Sequence, residues 1–463
     1  NKFYDKVPET AEKYMQMIHE ITGREYHLFN YTGVPDAEYV IVAIGSGAQT
    51  IEETVKYLVD KGEKVGCINV HMFRPWSEKH FLAALPKTTK KIAVLERTKE
   101  TGANGEPMYH SVAASFARAD VHPKIYNGRY GIASKEFLPA DVIAAFDNLK
   151  QDEPKNDFTL SIVDDVTFKS LPRKEDVHLN TKGLKACKFW GFGSDGTVGA
   201  NKNSIKIIGD NTDMFVQAYF EYDTKKSGGV TKSHLRFGKN PIRSTYYIKQ
   251  ADFLACHKPV YMSTYDIVGE VKDGGVFLLN CSWTPAELEE HLSNSVKRQI
   301  AKKNIQFYTI DASKIAQEIG LGANRTNTVL QAAFFKLANI MPIDDAVEHM
   351  KAAIYKTYMA KGAKVVSMNQ AAVDRGFSDL VKVDIPAAWA DLPEDAPQED
   401  TRNIPDFIKK IVEPSNLQKG DDIPVSEFVP YADGSYPMGS TQYEKRGIAE
   451  RVACWDEATC IEC

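Results

Sequence analysis

A cluster of glycines directly after an apolar run constrains this chain more than any other feature of its sequence. The apolar run spans residues 186–190 and has the length of a buried strand. The glycines that follow it are Gly191, Gly193, Gly196 and Gly199. The first three have the spacing G-x-G-x-x-G, which lets the backbone turn sharply and approach a phosphate. The sequence therefore predicts a strand, a tight turn and a helix that begins at Thr197.

The residues beyond the turn bear on what such a turn would bind. A second apolar run, residues 214–222, ends at Asp223, where an acid would contact the ribose of NAD. Lys225, Lys226 and Ser227 follow this acid, and their charge and donors suit a ribose with an additional phosphate. Both NADP and coenzyme A carry that phosphate. A tight turn without a ligand and a solvated pair of lysines are the alternatives.

Length and charge limit the classes of protein to consider. A chain of 463 residues is long enough for roughly two to four domains with large cores. The formal net charge of −5 argues against nucleic acid or a membrane surface as the main partner. No apolar run reaches the length of a membrane span. Because the first residue is Asn1 and not Met, we interpret the sequence as a piece of a longer polypeptide.

Six of the seven cysteines fall into two groups. Those with apolar neighbours are Cys67, Cys187, Cys256 and Cys281. They are predicted to be reduced core residues of a protein from a cytosol-like compartment. Cys460 and Cys463 instead form a C-x-x-C pair. One such pair is compatible with half of a zinc site, a redox pair or the first ligands of an iron–sulfur cluster.

Two regions alternate between strand-like and helix-like segments, and they predict two consecutive open α/β domains with mostly parallel sheets. In the first, residues 37–150, the predicted strands are residues 39–44, 65–70 and 91–96. The second spans residues 185–390. In it, residues 227–238 are predicted to form a polar loop and residues 244–248 a strand. A helix with a capping box is predicted to begin after Thr284.

Polar side chains in two later segments are candidates for a second wall of the site. A glycine-containing loop ends at Asn327, directly before an apolar helix predicted for residues 328–340. Asn369 lies between an apolar run and a further helix. Ligands of open sheets bind beyond the carboxyl ends of strands, where such loops lie. Each asparagine is also compatible with a simple helix cap.

The remaining segments are predicted to connect or to extend the two domains. Residues 1–36 indicate a helical tail of a preceding domain, and residues 151–184 an irregular linker. Residues 391–450 are rich in prolines and begin with a cluster of acids. Such a composition predicts an extended strap that wraps a neighbouring part of the protein. Residues 451–463 contain the C-x-x-C pair.

Several longer motifs resemble one known family, pyruvate:ferredoxin (or flavodoxin) oxidoreductase. The longest are FWGFGSDGTVGANKNSIKIIGDNTD at residues 189–213 and YDTKKSGGVTKSHLRFG at residues 222–238. Shorter ones are RPW at 74–76, RYGIASKEF at 129–137, ACH at 255–257, FFKLA at 334–338 and EKRGIA at 444–449. The resemblance covers essentially the whole chain in the family's order, and it implies a central fragment of such an enzyme.

The resemblance implies a role for each segment. Residues 37–150 would be a domain like the C-terminal domain of transketolase, and residues 185–390 the coenzyme A-binding, gamma-type domain. The strap would lead to a truncated ferredoxin-like domain that begins at residue 451. In the family, [4Fe–4S] clusters are bound there, and Cys460 and Cys463 match the first two thiolate ligands.

The resemblance also implies a set of coenzyme A contacts. The matching positions are Gly193, Ser194, Asp195, Gly196, Thr197, Lys225, Asn327 and Asn369. Backbone N–H groups of the turn and Thr197 would bind the pyrophosphate, and Lys225 the additional phosphate. The loop before Asn327 departs in length from the family pattern.

The activity that the resemblance implies is the oxidative decarboxylation of pyruvate with coenzyme A to acetyl-CoA and CO2. Thiamine diphosphate with Mg2+ supplies the carbon chemistry, and electrons pass through iron–sulfur clusters to ferredoxin or flavodoxin. The thiamine-binding parts are expected outside this chain, so no catalytic residue is assigned within it. The expected assembly is a homodimer in the cytoplasm or in an anaerobic mitochondrion-related organelle.

The sequence is also compatible with three alternative functions. The first is the NADP-reducing variant of the same family, and the second is an unrelated NADP-binding oxidoreductase that uses the glycine turn. The third is a non-catalytic scaffold, which would bind no ligand at the turn.

Overall fold

A computed structural model describes residues 2–174, 177, 179, 183–223, 228–395, 402–444 and 453–461. The chain divides into two compact units. Unit 1 consists of Asn1–Thr181, Arg243–Tyr246 and Pro405–Tyr436. Unit 2 consists of Lys182–Ile242, Tyr247–Ile404 and Pro437–Cys463. Among the helices of the described ranges, none combines the length and the apolarity needed to cross a membrane.

Unit 1 contains an open, mostly parallel sheet. Its strands are β1 (Phe29–Gly33), β2 (Tyr39–Ile44), β3 (Val65–Val70), β4 (Lys91–Glu96), β5 (Lys124–Arg129) and β6 (Phe158–Thr159). Their order is β1-β3-β2-β4-β5-β6, with only β1 antiparallel to its neighbour. The positions of β2, β3 and β4 confirm the three predicted strands. The short strand β6 lies in the segment that was expected to be irregular.

Helices cover both faces of this sheet. They are α1 (Val7–Thr22), α2 (Ser46–Asp60), α3 (Glu78–Ala84), α4 (Pro107–Ser115) and α5 (Pro139–Lys150). Alternate residues of β2 enter different cores, because successive side chains of a strand point to opposite faces. Ile41 packs with residues of α2 and α5, whereas Val42 packs with residues of α3 and α4.

The strap contributes to unit 1 with short helical turns. Within residues 402–444 these include Ile408–Val412, α-helix Glu413–Asn416 and Val425–Tyr431. The backbone N–H of Val425 donates to the carbonyl of Val163 at 2.9 Å, and Ser426 N–H donates to Asp165 Oδ1 at 2.9 Å. These bonds hold the strap along residues 163–165.

Unit 2 contains a mixed sheet. Its strands are β7 (Leu184–Phe192), β8 (Phe215–Tyr222), β9 (Val230–Gly238), β10 (Ala251–Cys256), β11 (Val271–Asn280), β12 (Gln306–Ile310) and β13 (Val381–Lys382). Their order is β13-β12-β11-β10-β7-β9-β8. The four strands from β12 to β7 are parallel, whereas β13, β9 and β8 are antiparallel to their neighbours. The prediction of a mostly parallel sheet is therefore correct for the centre and wrong for the edges.

Strand β9 is the main departure from the sequence-based expectation. The segment 227–238 was predicted as a polar loop, yet all nine residues of β9 are buried between β7 and β8. Its longer polar side chains find partners inside the unit, because Lys232 and His234 contact Glu221 and Arg236 donates to Gln217. The hydroxyls of Thr231 and Ser233 are buried without a hydrogen-bond partner among the described residues. The predicted strand 244–248 is also wrong. Ser244 and Tyr246 instead donate their hydroxyls to Glu53 at 2.7 and 3.0 Å.

Helices connect the parallel strands of unit 2, so the carboxyl ends of these strands lie at the same end of the sheet. The helices are α6 (Thr197–Asn211), α7 (Pro285–His291), α8 (Asn294–Lys302), α9 (Ala312–Glu318), α10 (Asn327–Ala338), α11 (Ile343–Tyr358) and α12 (Ala363–Ser378). Phe189 packs with α6, α10 and α12 on one face, and Trp190 packs with α7 and α8 on the other. The start of α6 and the cap of α7 at Thr284 confirm the predictions.

Candidate ligand site at the glycine turn

The glycine turn joins β7 to α6 at a topological switch point of unit 2. β7 and β10 are parallel neighbours, with Trp190 paired with Cys256. The chain passes from β7 through α6 to β8 on one side, whereas it passes from β10 to β11 on the other. Loops that diverge in this way leave a crevice beyond the strand ends, where ligands of open α/β sheets bind.

Two of the glycines are required by local geometry. A Cβ on Gly191 would lie 2.7 Å from Thr197 Oγ1, so glycine allows the helix to pack closely against the strand. Gly196 has φ of 87°, and a Cβ there would lie 2.3 Å from Asn327 Nδ2. A Cβ on Gly199 would meet no atom within 4 Å. Gly191 and Gly196 therefore meet a steric requirement that Gly199 does not.

The carboxylate of Asp195 accepts several donors of the turn. Phe192 N–H donates to Oδ2 at 2.9 Å, and Thr197 N–H donates to Oδ1 at 2.7 Å. The Thr197 hydroxyl also donates to Oδ2, at 2.7 Å. The two donors of Thr197 that were expected to bind a pyrophosphate are thus engaged within the protein. The N–H groups of Val198 and Gly199 remain, because the first turn of a helix has no intrahelical acceptors.

Asn327 is brought directly to the turn, as the first residue of α10. Its Nδ2 donates to the backbone carbonyl of Asp195 at 2.6 Å. Its Oδ1 is buried and has no hydrogen-bond partner in the described part of the chain. Asn369 lies on α12, where its Oδ1 accepts from the Thr328 hydroxyl at 3.2 Å. Asn369 therefore contacts the residue after Asn327, and its own amide is held by Val365 O.

A buried histidine completes the turn, and it was given no role from the sequence. His257 follows β10, and its Nδ1 lies 2.8 Å from Thr197 Oγ1. Because the Thr197 hydroxyl donates its single proton to the Asp195 carboxylate, Nδ1 must carry the proton of the imidazole and donate it. The sequence feature that could have identified His257 is its position in the motif ACH, at the end of an apolar strand.

The environment of His257 keeps its ring neutral. Burial lowers the pKa of His257 below its ordinary value and outweighs the carboxylate of Asp195, which favours the protonated ring. The ammonium of Lys258 adds to the lowering. A neutral ring agrees with the single donated proton that the hydrogen bonds require.

One buried ion pair and two buried hydrogen bonds to carboxylates support the strands behind the turn. Lys188 Nζ lies 2.6 Å from Glu270 Oε1, and Trp190 Nε1 donates to Glu270 Oε2 at 2.9 Å. His234 Nε2 lies 2.5 Å from Glu221 Oε1. Each pair joins two segments of unit 2, and removal of one partner would leave a buried group unsatisfied.

The other predicted site residues differ in how far the structure describes them. Gly193 N–H donates to Gly229 O at 2.7 Å, and Ser194 adopts a left-handed conformation with φ of 73°. Lys225 and Cys463 lie outside the described residues. Cys460 is exposed. Within the described ranges, no three His, Cys, Asp or Glu side chains come together as a metal site.

The four cysteines with apolar neighbours are buried and free, as predicted. They are Cys67, Cys187, Cys256 and Cys281. Burial raises the pKa of each of these thiols above its ordinary value. They are therefore protonated core residues at neutral pH.

The fold defines an α/β protein with a glycine turn at a strand switch point, and family models specify its class. Residues 186–378 match the family described as pyruvate ferredoxin/flavodoxin oxidoreductase. Residues 37–142 match pyruvate:ferredoxin oxidoreductase core domain II. Residues 393–449, which fall within the predicted strap, match a domain of unknown function named EKR.

Individual relatives agree with these family matches over all of this chain. It is 53% identical to a pyruvate:ferredoxin oxidoreductase of Moorella thermoacetica and 52% identical to a pyruvate-flavodoxin oxidoreductase of Enterobacter agglomerans. It is 45% identical to a pyruvate dehydrogenase [NADP(+)] of Cryptosporidium parvum, of which it covers 25%. The chain spans 39% of the length of each of the first two relatives. The chain belongs to the pyruvate:ferredoxin/flavodoxin oxidoreductase family.

Proposed function

We propose that this chain is part of an enzyme that oxidatively decarboxylates pyruvate with coenzyme A to acetyl-CoA and CO2. The electrons pass through iron–sulfur clusters to ferredoxin or flavodoxin. The observation that carries the proposal is the 53% identity to a pyruvate:ferredoxin oxidoreductase across all 463 residues. The chemistry at pyruvate belongs to thiamine diphosphate with Mg2+, and we assign no catalytic residue to this chain.

Unit 2 is proposed to bind coenzyme A at the glycine turn. The contacts are proposed for Gly193, Ser194, Asp195, Gly196, Thr197, Lys225, Asn327 and Asn369. The geometry supports the central part of this set, because Asn327 lies against the turn and its buried Oδ1 has no hydrogen-bond partner among the described residues. The N–H groups of Val198 and Gly199 offer the positive end of α6 to the diphosphate.

The other segments are proposed to serve the same enzyme. Residues 37–150 would form a transketolase C-terminal-like domain between a tail at 1–36 and a linker at 151–184. Residues 185–390 would be the coenzyme A-binding, gamma-type domain. Residues 391–450 would be a strap that leads to a ferredoxin-like domain starting at 451. A homodimer in the cytoplasm or in an anaerobic mitochondrion-related organelle remains a prediction from the resemblance.

Cys460 and Cys463 are proposed as thiolate ligands of a [4Fe–4S] cluster. The exposed position of Cys460 and the C-x-x-C spacing suit this role. The structure describes Cys460 but not Cys463, and one thiol does not make a cluster site. We therefore assign no electron-transfer step to residues of this chain. The test is the iron and sulfide content of the enzyme, which we expect to fall in Cys460→Ser and to be retained in Cys454→Ser, where another exposed thiol is removed.

A second candidate is the NADP-reducing form of the same enzyme. It is favoured by the identity of 45% to a protein named pyruvate dehydrogenase [NADP(+)]. In that form NADP would be the electron acceptor and coenzyme A would still bind at the turn. An unrelated NADP-binding oxidoreductase would instead use the turn for NADP.

Titration calorimetry and thermal unfolding of this chain with coenzyme A and with NADPH distinguish a coenzyme A site at the turn from an NADP site of an unrelated oxidoreductase. We expect coenzyme A to bind and to raise the melting temperature, because a ligand that binds only the folded state stabilises it. We expect NADPH to do neither. Protection by NADPH alone would favour the unrelated oxidoreductase, and protection by neither ligand would contradict a nucleotide site at the turn.

A further inference from the structure

Lys258 places a cation beside the glycine turn. It follows His257 at the end of β10, on the far side of the switch point from α6. Its Nζ lies 5.6 Å from the ring centre of Phe192, the residue directly before Gly193. Lys258 is half-buried, so part of the residue remains accessible to solvent. The position alone makes Lys258 a candidate contact for a ligand of the turn.

Within the described residues, no hydrogen bond or ion pair engages the ammonium of Lys258, whereas the half-buried Lys303 and Lys336 donate to backbone carbonyls. Three lysines with buried side chains have carboxylate partners, in the pairs Lys188–Glu270, Lys232–Glu221 and Lys297–Glu289. Within the ranges that the structure describes, no carboxylate pairs with Lys258. A half-buried ammonium without a carboxylate partner is available for an anion from outside the chain.

The charge of Asp195 creates a need for such a cation. Its carboxylate lies at the centre of the turn, where it accepts the N–H and hydroxyl of Thr197. A diphosphate bound at the start of α6 would therefore meet a negative charge among the donors that attract it. Like charges at short range weaken binding unless a cation offsets them.

The loop that contains Lys258 presents a second polar group to this region. Tyr261 is buried, and its hydroxyl has no hydrogen-bond partner within the described residues. Burial raises the pKa of Tyr261, and the carboxylates of Asp195 and Asp223 raise it further. The charge of Asp195 therefore acts on this loop as well as on the turn, which supports a role for a cation there.

We propose that the ammonium of Lys258 contacts the diphosphate of coenzyme A at the glycine turn and offsets the charge of Asp195. An ammonium is a compact charge that binds phosphate oxygens without a fixed fork geometry. This inference rests on the proposed function, because it names a contact to the ligand proposed for the same site. The diphosphate, and not the ribose phosphate, is the expected partner because Phe192 holds Lys258 beside the turn.

The experiment compares the binding of coenzyme A and of dephospho-coenzyme A, which lacks the ribose phosphate, by titration calorimetry. We expect Lys258→Ala to weaken both ligands by the same factor, roughly tenfold or more. Lys258→Arg should retain most of the affinity. The control is Lys302→Ala, which removes the same charge from an exposed position at the end of α8 and should bind both ligands as the parent does. Equal melting temperatures without ligand would show that the variants are folded.

Two results would overturn the proposal while leaving the proposed function intact. The first is unchanged affinity of Lys258→Ala for both ligands. The second is a loss confined to coenzyme A, which would place Lys258 at the ribose phosphate. If the parent chain bound neither ligand, the proposed function would fail and this inference with it.

Discussion

The side-chain amide of Asn327 donates to the backbone carbonyl of Asp195 at 2.6 Å, across 132 residues of sequence. This bond ties the start of α10 to the glycine turn between β7 and α6. The same amide nitrogen occupies the space that a side chain on Gly196 would need. The position of Asn327 therefore leaves no space for a side chain at residue 196.

Substitution of Gly196 tests this relationship. Gly196→Ala places a Cβ 2.3 Å from Asn327 Nδ2 on a residue with φ of 87°. We expect a loss of about 1–3 kcal/mol in the free energy of unfolding, as positive φ and displacement of Asn327 both cost energy. Coenzyme A affinity should fall as well. The control is Gly199→Ala, where a Cβ meets nothing within 4 Å, and equal effects of the two variants would contradict the prediction.

Removal of the Asn327 side chain tests the other half of the relationship. In Asn327→Ala the carbonyl of Asp195 loses its donor, and the buried oxygen beside the turn disappears. We expect unfolding to become easier by about 1 kcal/mol and coenzyme A affinity to fall roughly tenfold. Calorimetry with coenzyme A measures the second effect. Asn324→Ala, an exposed change in the same loop, is the matched control and should behave as the parent.

The proton on His257 Nδ1 leads to a comparison of an amide substitution with an apolar one. Asn places its amide nitrogen near the position of Nδ1, so His257→Asn can still donate to Thr197 Oγ1. His257→Leu cannot, and we expect it to destabilise the protein by about 1–3 kcal/mol more than His257→Asn. Chemical unfolding of both variants measures the difference. Equal stability of the two would show that the bond to Thr197 does not matter.

The stability of unit 2 should decrease in acid because of His234. Ile248 N–H donates to Nδ1 at 3.1 Å, so the ring proton resides on Nε2 and is donated to Glu221. Burial lowers the pKa of His234 to about 3. As the pH falls from about 6.5 towards 3, the unfolded ring binds a proton and the folded ring does not. The free energy of unfolding should therefore fall by up to about 1.4 kcal/mol per pH unit in this window.

Glu221 acts in the same direction at lower pH. The pKa of Glu221 is lowered to about 2, against the opposing effect of its burial, by the hydrogen bond from His234 and the charge of Lys232. Its stabilising contribution is complete above about 4.5 and is lost as the pH falls from there to 2. Urea unfolding at pH 7.5 and 5 isolates the histidine effect. His234→Gln, which does not titrate, should show a smaller difference between the two pH values than the parent.

Local sequence patterns predicted the fold correctly where neighbouring residues alone determine the secondary structure. The apolar runs of β2, β3 and β4 gave the correct strands because each is a continuous run between turn residues. The capping box at Thr284 was correct because both of its hydrogen bonds join residues three apart. Strand β9 was missed because its polar residues resemble a loop until partners such as Glu221 are in place.

The sequence by itself determined that a glycine turn joins an apolar strand to a helix at Thr197, and that the chain resembles one oxidoreductase family. These conclusions depend on residues that are close together in the chain. Only the tertiary structure decided that Thr197 is engaged by Asp195 and His257, that Asn327 closes the turn, and that Lys258 lies beside it. These contacts join residues up to 132 positions apart, and a hydrogen bond forms only where the fold brings donor and acceptor within about 3 Å.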